Sequence, residues 1–401
     1  MNRKVLAIAV AGLFAAPAVA MAQKSTVEIY GRANLGFDHY QAKGATDPAQ
    51  DRQGRFRVFD NSSRVGFRGT EDLGNGLKAV FQIEAGVNVD SGSNTGQNGA
   101  ANASTGFWAS RDSFVGLDSG FGRLTFGRQS IYWLNGVNAQ FLANYVNTEI
   151  PWTNGTQLGR ISTGVSIARV SNVVQYTSPM FAGVNATLSY SPNAQEAVQN
   201  VGAGADADGA IWGVTLRGVW DAFYVQGDFA QNNANKSVPT GTQQKATLYK
   251  LGGSWGYMAG ARIGLIWVRT DTNNQGPLVP GLAAGDDVYQ DGWTINWEHT
   301  FGNVQVMAQY GWTGDMKDCD AATATVSCAD SSSTGVMVGA RYFLSKRTWV
   351  YATYNQVSNK ANQFADYTTA GYTSTTGLTA AGPNPLGADP KIWALGLFHA
   401  F

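Results

Sequence analysis

Cysteine, histidine and proline are scarce in this 401-residue chain, at 2, 3 and 11 residues. The histidines, His39, His299 and His399, have no metal-ligand spacing, and they read as structural or solvated. There is no P-loop and no G-x-S-x-G elbow, so no cofactor is implied, and glycine-rich pieces such as 73–76 read as turns. Long apolar runs are also missing. Past the opening residues no segment approaches the ~18 consecutive apolar residues of a membrane helix. Charge of one sign is lacking too, with 28 basic residues against 28 acidic. General nucleic-acid binding needs a basic surface, so nucleic acid is excluded as a partner.

What is abundant is glycine (49) and aromatic side chains (Phe 19, Tyr 16, Trp 12). That balance favours strands, and no apolar period of 3.6 residues is sustained. The opening MNRKVLAIAVAGLFAAPAVAMAQ combines Arg3 and Lys4, an apolar run and an Ala20-Met21-Ala22 site. It reads as a signal peptide over 1–22, leaving residues 23–401 as a single unit. A chain that spans a membrane without apolar helices does so as a closed barrel.

The stretch Asn61–Val87 carries the clearest pattern. Leu77, Ala79, Phe81, Ile83, Ala85 and Val87 alternate with Lys78, Gln82 and Glu84, the mark of a strand with one apolar and one wet face. The joint at 71–76 supplies Gly and Asn for a reversal. Trp293, Ile295 and Trp297 repeat the alternation against Thr294, Asn296 and Glu298, as do Val304 to Trp312. Short turns alternate with long polar loops, an asymmetry expected of outer-membrane barrels. The fold class read from this is all-β: a 16-stranded antiparallel transmembrane β-barrel. Its first strand is placed at 27–39, its first loop at 40–54 and its last strand at 391–401. Asn61, Ser63 and Asp112 would fall on the apolar face, which places them near a membrane interface or, the favoured reading, makes that wall a subunit contact.

The segments SSRVGFRGTEDLGNGLKAVFQIE, RDSFVGLDSGFGRLTFGRQ, SNVVQYTSPMFAGV and YFLSKRTWVYATYNQ resemble those of the Gram-negative general porins, in the neisserial and betaproteobacterial branch. So do VEIYGRANLGF at the start and GLFHAF at the end. The resemblance implies passive diffusion of ions and small hydrophilic solutes through a water-filled outer-membrane pore. It also implies a homotrimer whose third long loop folds into the lumen. Terminal Phe401 would belong to the signal read by the outer-membrane assembly machinery, and outer-membrane lipid and lipopolysaccharide would surround the barrel.

The third long connection, 129–168, is the expected constriction; a loop this long inside a compact unit calls for a function. Arg32, Arg64, Arg111 and Arg169 are expected to face the lumen opposite it, at positions matching the basic ladder of general porins. Arg160 joins from the loop, and the loop's acid is Glu149. The excess of arginine predicts anion preference, because rings of Arg or Lys select anions. Cys319 and Cys328, close together in an exported chain, suggest one disulfide in the seventh long loop. The alternatives are a solute-selective channel of the same fold, or an outer-membrane barrel enzyme, which the histidine positions oppose.

Overall fold

The computed structural model describes residues 25–90, 108–132, 169–192, 210–233, 245–273, 287–319, 328–366 and 385–401. The signal-peptide reading and most of 129–168 lie outside them. The strands are β1 (Ser25–Lys43), β2 (Arg52–Asp60), β3 (Arg64–Gly74), β4 (Leu77–Gly86), β5 (Ser113–Ser119), β6 (Gly122–Gln129), β7 (Val170–Thr177) and β8 (Val184–Ser191). They continue as β9 (Ile211–Trp220), β10 (Phe223–Asn232), β11 (Ala246–Met258), β12 (Ala261–Asn273), β13 (Asp287–Phe301), β14 (Val304–Thr313), β15 (Ser333–Phe343), β16 (Thr348–Asn359) and β17 (Asp389–Ala400).

Each strand pairs antiparallel with its neighbours, and β1 pairs with β17, so the sheet closes on itself. β2 and β3 share one position in the wall. β1 pairs with β2 over Leu35–Ala42 and with β3 over Ser25–Arg32. Seventeen segments therefore make a 16-stranded barrel. The seam is tight at Gly31, which exchanges two backbone hydrogen bonds of 3.1 Å with Phe401. A Cβ on Gly31 would lie 2.5 Å from the Phe401 ring, so glycine is required there.

Burial is inverted relative to a water-soluble protein. On β13 the polar Thr294, Asn296 and Glu298 are buried, and Ile295 between them is exposed. β16 and β17 alternate just as sharply, with Val350, Tyr354, Leu395 and Leu397 exposed. An exposed apolar face around a closed sheet belongs in lipid. Aromatic side chains mark its two borders. Phe121, Phe181, Trp255, Phe301 and Phe401 are exposed near the short turns. Phe37, Phe56 and Trp393 cluster toward the long loops, with Phe37 and Phe56 stacked at 5.3 Å. Such girdles fit the lipid–water interfaces. The three histidines join this outer surface: His39 stacks with Trp393, His299 meets the Tyr257 hydroxyl at 3.1 Å, and His399 meets Thr348 at 2.9 Å.

The wall around Asn61 differs from the expectation of a subunit contact. The chain leaves the sheet at 61–63, where Ser62 has φ 71°. Asn34 N donates to Ser63 Oγ at 2.9 Å, and Ser63 N donates to Asp60 Oδ1 at 2.8 Å. Asn61 and Ser63 are thus buried within the chain rather than facing outward. Asp112 also turns in, because the backbone before β5 is irregular, with Ala109 at φ 63°. Ser63 and Asp112 find partners within their own barrel, while Asn61 is held there through its backbone N–H, which donates to Asn34 O at 2.7 Å.

Two apolar clusters occupy the inner face. Tyr40, Phe59, Trp349, Tyr351 and Phe398 pack with Met307 and Met337 along the β1 and β14–β17 side. On the other side Ile131 and Tyr132, just past β6, pack against inward residues of β9–β13, among them Ile211, Leu248 and Ile266.

Candidate functional site

Ionic groups line the bore in tiers, because every second residue of a strand points inward. Near the short turns, Arg68 forms two hydrogen bonds with Glu28 at 2.8 and 3.0 Å, and Arg123 meets Asp118. At mid-height lies the densest group. Arg32 and Arg64 are direct partners across β1 and β3. Glu84 on β4 accepts from Tyr30 Oη at 3.0 Å and from Arg111 Nε, with Arg64 Nε 3.7 Å away. Arg169 Nε lies 3.4 Å from Asp112 Oδ2, while Asp112 Oδ1 accepts from both N and Oγ of Ser130 at 2.9 Å. Arg32 Nε donates to Ser62 O at 2.9 Å, and its guanidinium sits 5.7 Å from the Phe398 ring centre.

Arg32, Arg64, Arg111 and Arg169 are therefore brought into one inner belt. Of the four, Arg64 is the most open, with 22% of its side chain exposed. Among the described residues the ion pairs of this belt run through Glu84 and Asp112, so arginine is its commonest charged group. Asp112 was missed as a lumenal acid because its place in strict alternation is outward. Glu149 and Arg160 lie outside the described residues.

The start of the long connection runs along the inner wall. Tyr132 is 1% exposed, donates its hydroxyl to Tyr249 O at 3.1 Å, and carries Lys250 Nζ 4.8 Å from its ring centre. Lys250 pairs at 3.2 Å with Asp228, which also accepts from Thr215 at 2.6 Å and Gln226 at 2.6 Å. A buried charge pair with its remaining acceptors filled is a rigid support. Cys319 and Cys328 are bonded through their sulfurs, with Cα atoms 5.9 Å apart.

A third tier was not foreseen at all. Arg52, Arg55 and Arg57 on β2 face the bore near the long loops. Arg57 forms two 3.0 Å hydrogen bonds with Asp38, and Arg52 lies 3.4 Å from Asp366. The sequence signal was R-x-x-R-x-R flanked by Phe56 and Val58, which are exposed on the other face. Assigning 40–54 to a loop concealed it. Among the described residues, no group of three or more His, Cys, Asp or Glu could hold a metal ion.

A closed barrel with an apolar exterior and ionic tiers inside has the form of a membrane channel. Residues 7–362 match the family described as Gram-negative porin. An outer membrane porin protein of Bordetella pertussis is 30% identical over 383 residues, covering 88% of this chain and 93% of that protein. The major outer membrane protein P.IB of Neisseria gonorrhoeae is 29% identical over 361 residues, covering 87% and 91%. Among solved structures, an anion-selective porin from Comamonas acidovorans superposes with a TM-score of 0.71 at 23% identity, covering 94% of this chain and 100% of that one. The trimer form of OmpT from Vibrio cholerae gives 0.60 at 15% identity, covering 94% and 99%. The chain belongs to the Gram-negative porin family. It is an outer-membrane channel for passive diffusion of ions and small hydrophilic solutes, and not an enzyme.

Proposed function

We propose that the mid-height belt of Arg32, Arg64, Arg111 and Arg169 is the selectivity zone and that it prefers anions. The carrying observation is the gathering of four arginines from β1, β3 and the approaches to β5 and β7 in one inner belt, beside Glu84 and Asp112 among the described residues. Two unit charges about 4 Å apart interact by ~4 kcal/mol at an effective dielectric of 20, so even a screened fraction exceeds RT. The similarity to an anion-selective porin from Comamonas acidovorans agrees with this sign. The segment 129–168 folds inward to narrow the bore, with Glu149 and Arg160 on it and Ile131 and Tyr132 as its anchored stem.

The working unit is a homotrimer, as in the trimer form of OmpT. It sits among outer-membrane lipid and lipopolysaccharide and is inserted by the assembly machinery through a signal that includes Phe401. The Cys319–Cys328 disulfide staples an external loop. The test is reconstitution in a planar bilayer under a KCl gradient. A reversal potential on the chloride side is expected; a potassium-side potential would overturn the charge argument.

A further inference from the structure

The β2 arginines have a role that the mid-height belt leaves unused. Arg55 stands directly opposite Tyr40, Arg57 opposite Asp38 and Arg52 opposite Ala42. Arg57 is tied to Asp38 through two hydrogen bonds, and its guanidinium lies 5.2 Å from the Tyr40 ring centre. Arg52 reaches Tyr40 Oη at 3.3 Å and Asp366 at 3.4 Å. Arg55 is half-buried, and among the described residues no carboxylate pairs with it. Its charged neighbours are Arg57, Arg52 and Asp38. Among the described residues these three guanidiniums stand with two carboxylates, and Arg55 is the one that no carboxylate engages at the long-loop end of the inner face.

This tier is electrically separate from the waist. Eight residues of β1 separate Arg32 from Tyr40, roughly 26 Å at ~3.3 Å per residue. The Debye length is ~10 Å at 0.1 M salt, so charges that far apart across water hardly interact. Its chemistry also differs from that of a general positive field. A guanidinium is a planar fork of N–H donors that matches carboxylate and phosphate oxygens two at a time, which a halide cannot exploit. Arg57, pinned beside it by Asp38, adds a second positive charge at the same level.

We propose that Arg55, flanked by Arg57 and Arg52, is a capture site for small divalent oxyanions at the long-loop mouth. Phosphate and dicarboxylates share the required chemistry. The site deepens the anion-preferring reading and rests on it for the sign of the transported ions. Capture at the mouth raises the local concentration of such ions above the waist, which then passes them.

The experiment is single-channel recording in dilute KCl with full-length protein, adding inorganic phosphate or succinate to one side at a time. In the wild type, either ion added at the long-loop side reduces the chloride current, and the lower half-blocking concentration identifies the better ligand. Arg55→Gln raises that concentration about 10-fold, the loss of one charge-assisted contact. Arg55→Lys, which keeps the charge and loses the fork, falls between the two. The KCl reversal potential of Arg55→Gln stays near wild type, because the waist is intact. Equal block in wild type and Arg55→Gln, or equal block from both sides, overturns the site. A reversal potential on the potassium side sinks the waist reading instead, and the phosphate comparison still judges Arg55.

Discussion

Arg111 and Glu84 are joined Nε to Oε1 across 27 residues of sequence, and both side chains are nearly closed to water. Glu84 is the hub of the waist, since Tyr30 donates to it and Arg64 lies close by. It offsets arginine charge and orders the arginines at the same time.

Glu84→Gln therefore has two opposite consequences. Removing the carboxylate makes the channel more anion-preferring, seen as a larger chloride-side reversal potential. Breaking a buried pair also leaves Arg111 uncompensated, at a cost of roughly 3 kcal/mol. Unfolding in detergent and urea measures that loss, and an unchanged reversal potential would remove Glu84 from the lumen.

Arg64→Gln weakens selectivity without that penalty, because Arg64 is more open and less tightly paired than Arg111. A unit charge ~10 Å from a passing ion in water contributes ~0.4 kcal/mol, with opposite signs for chloride and potassium, about a four-fold change in their permeability ratio before screening. The effect fades between 0.1 and 1 M KCl as the Debye length falls from ~10 to ~3 Å. A salt-independent ratio contradicts an electrostatic origin.

Tyr132 tests the anchored stem of the long connection. Tyr132→Phe loses the hydrogen bond to Tyr249 O, about 1 kcal/mol, and leaves the packing in place. Tyr132→Ala removes a buried ring, at ~3–5 kcal/mol. The alanine variant shows noisier open-channel current and faster proteolysis within 133–168. Quiet current in Tyr132→Ala means the stem does not hold the loop.

Leu265 tests which face meets lipid. It is exposed on β12 beside Ile295, its cross-strand partner. Leu265→Arg costs ~2–4 kcal/mol if that point lies near the bilayer midplane. Stability in lipid vesicles reports the cost, and no change there argues against a lipid-facing position.

Reducing Cys319–Cys328 leaves the barrel intact and loosens one external loop. For so short a closed loop the chain-entropy contribution is ~2.5 kcal/mol. Thiol-specific labelling is expected only after reductant, with strand content by circular dichroism unchanged. Labelling of untreated protein would falsify the pairing.

Much of the wall was legible, because a barrel strand has only two environments and Trp293, Ile295 and Trp297 declare theirs plainly. The ends were less so. β1 runs to Lys43, and β12 to Asn273, past the last apolar residue. Arg269 and Asp291 pair on the outer face there at 2.9 Å, so the wall continues above the apolar band and the alternation changes character. The inner clusters were hidden for the opposite reason. Trp349 and Phe398, stacked at 3.8 Å, are oily residues facing inward, where alternation promised only polar ones. Asp112 escaped because its orientation depends on an irregular approach to β5 that no periodicity encodes. Arg32, Arg64 and Arg111 were legible because each stands in a recognisable family segment, and Arg169 stands two residues before one. The β2 arginines stand in none.

The seam between β1 and β17 carries a consequence for biogenesis. Gly31 and Phe401 are hydrogen-bonded neighbours although they lie at opposite ends of the strand order. Ring closure must wait until β17 has been exported, whatever order the other strands pair in. Until then β1 offers one bare ladder, an invitation to stray pairing that an escort must cover.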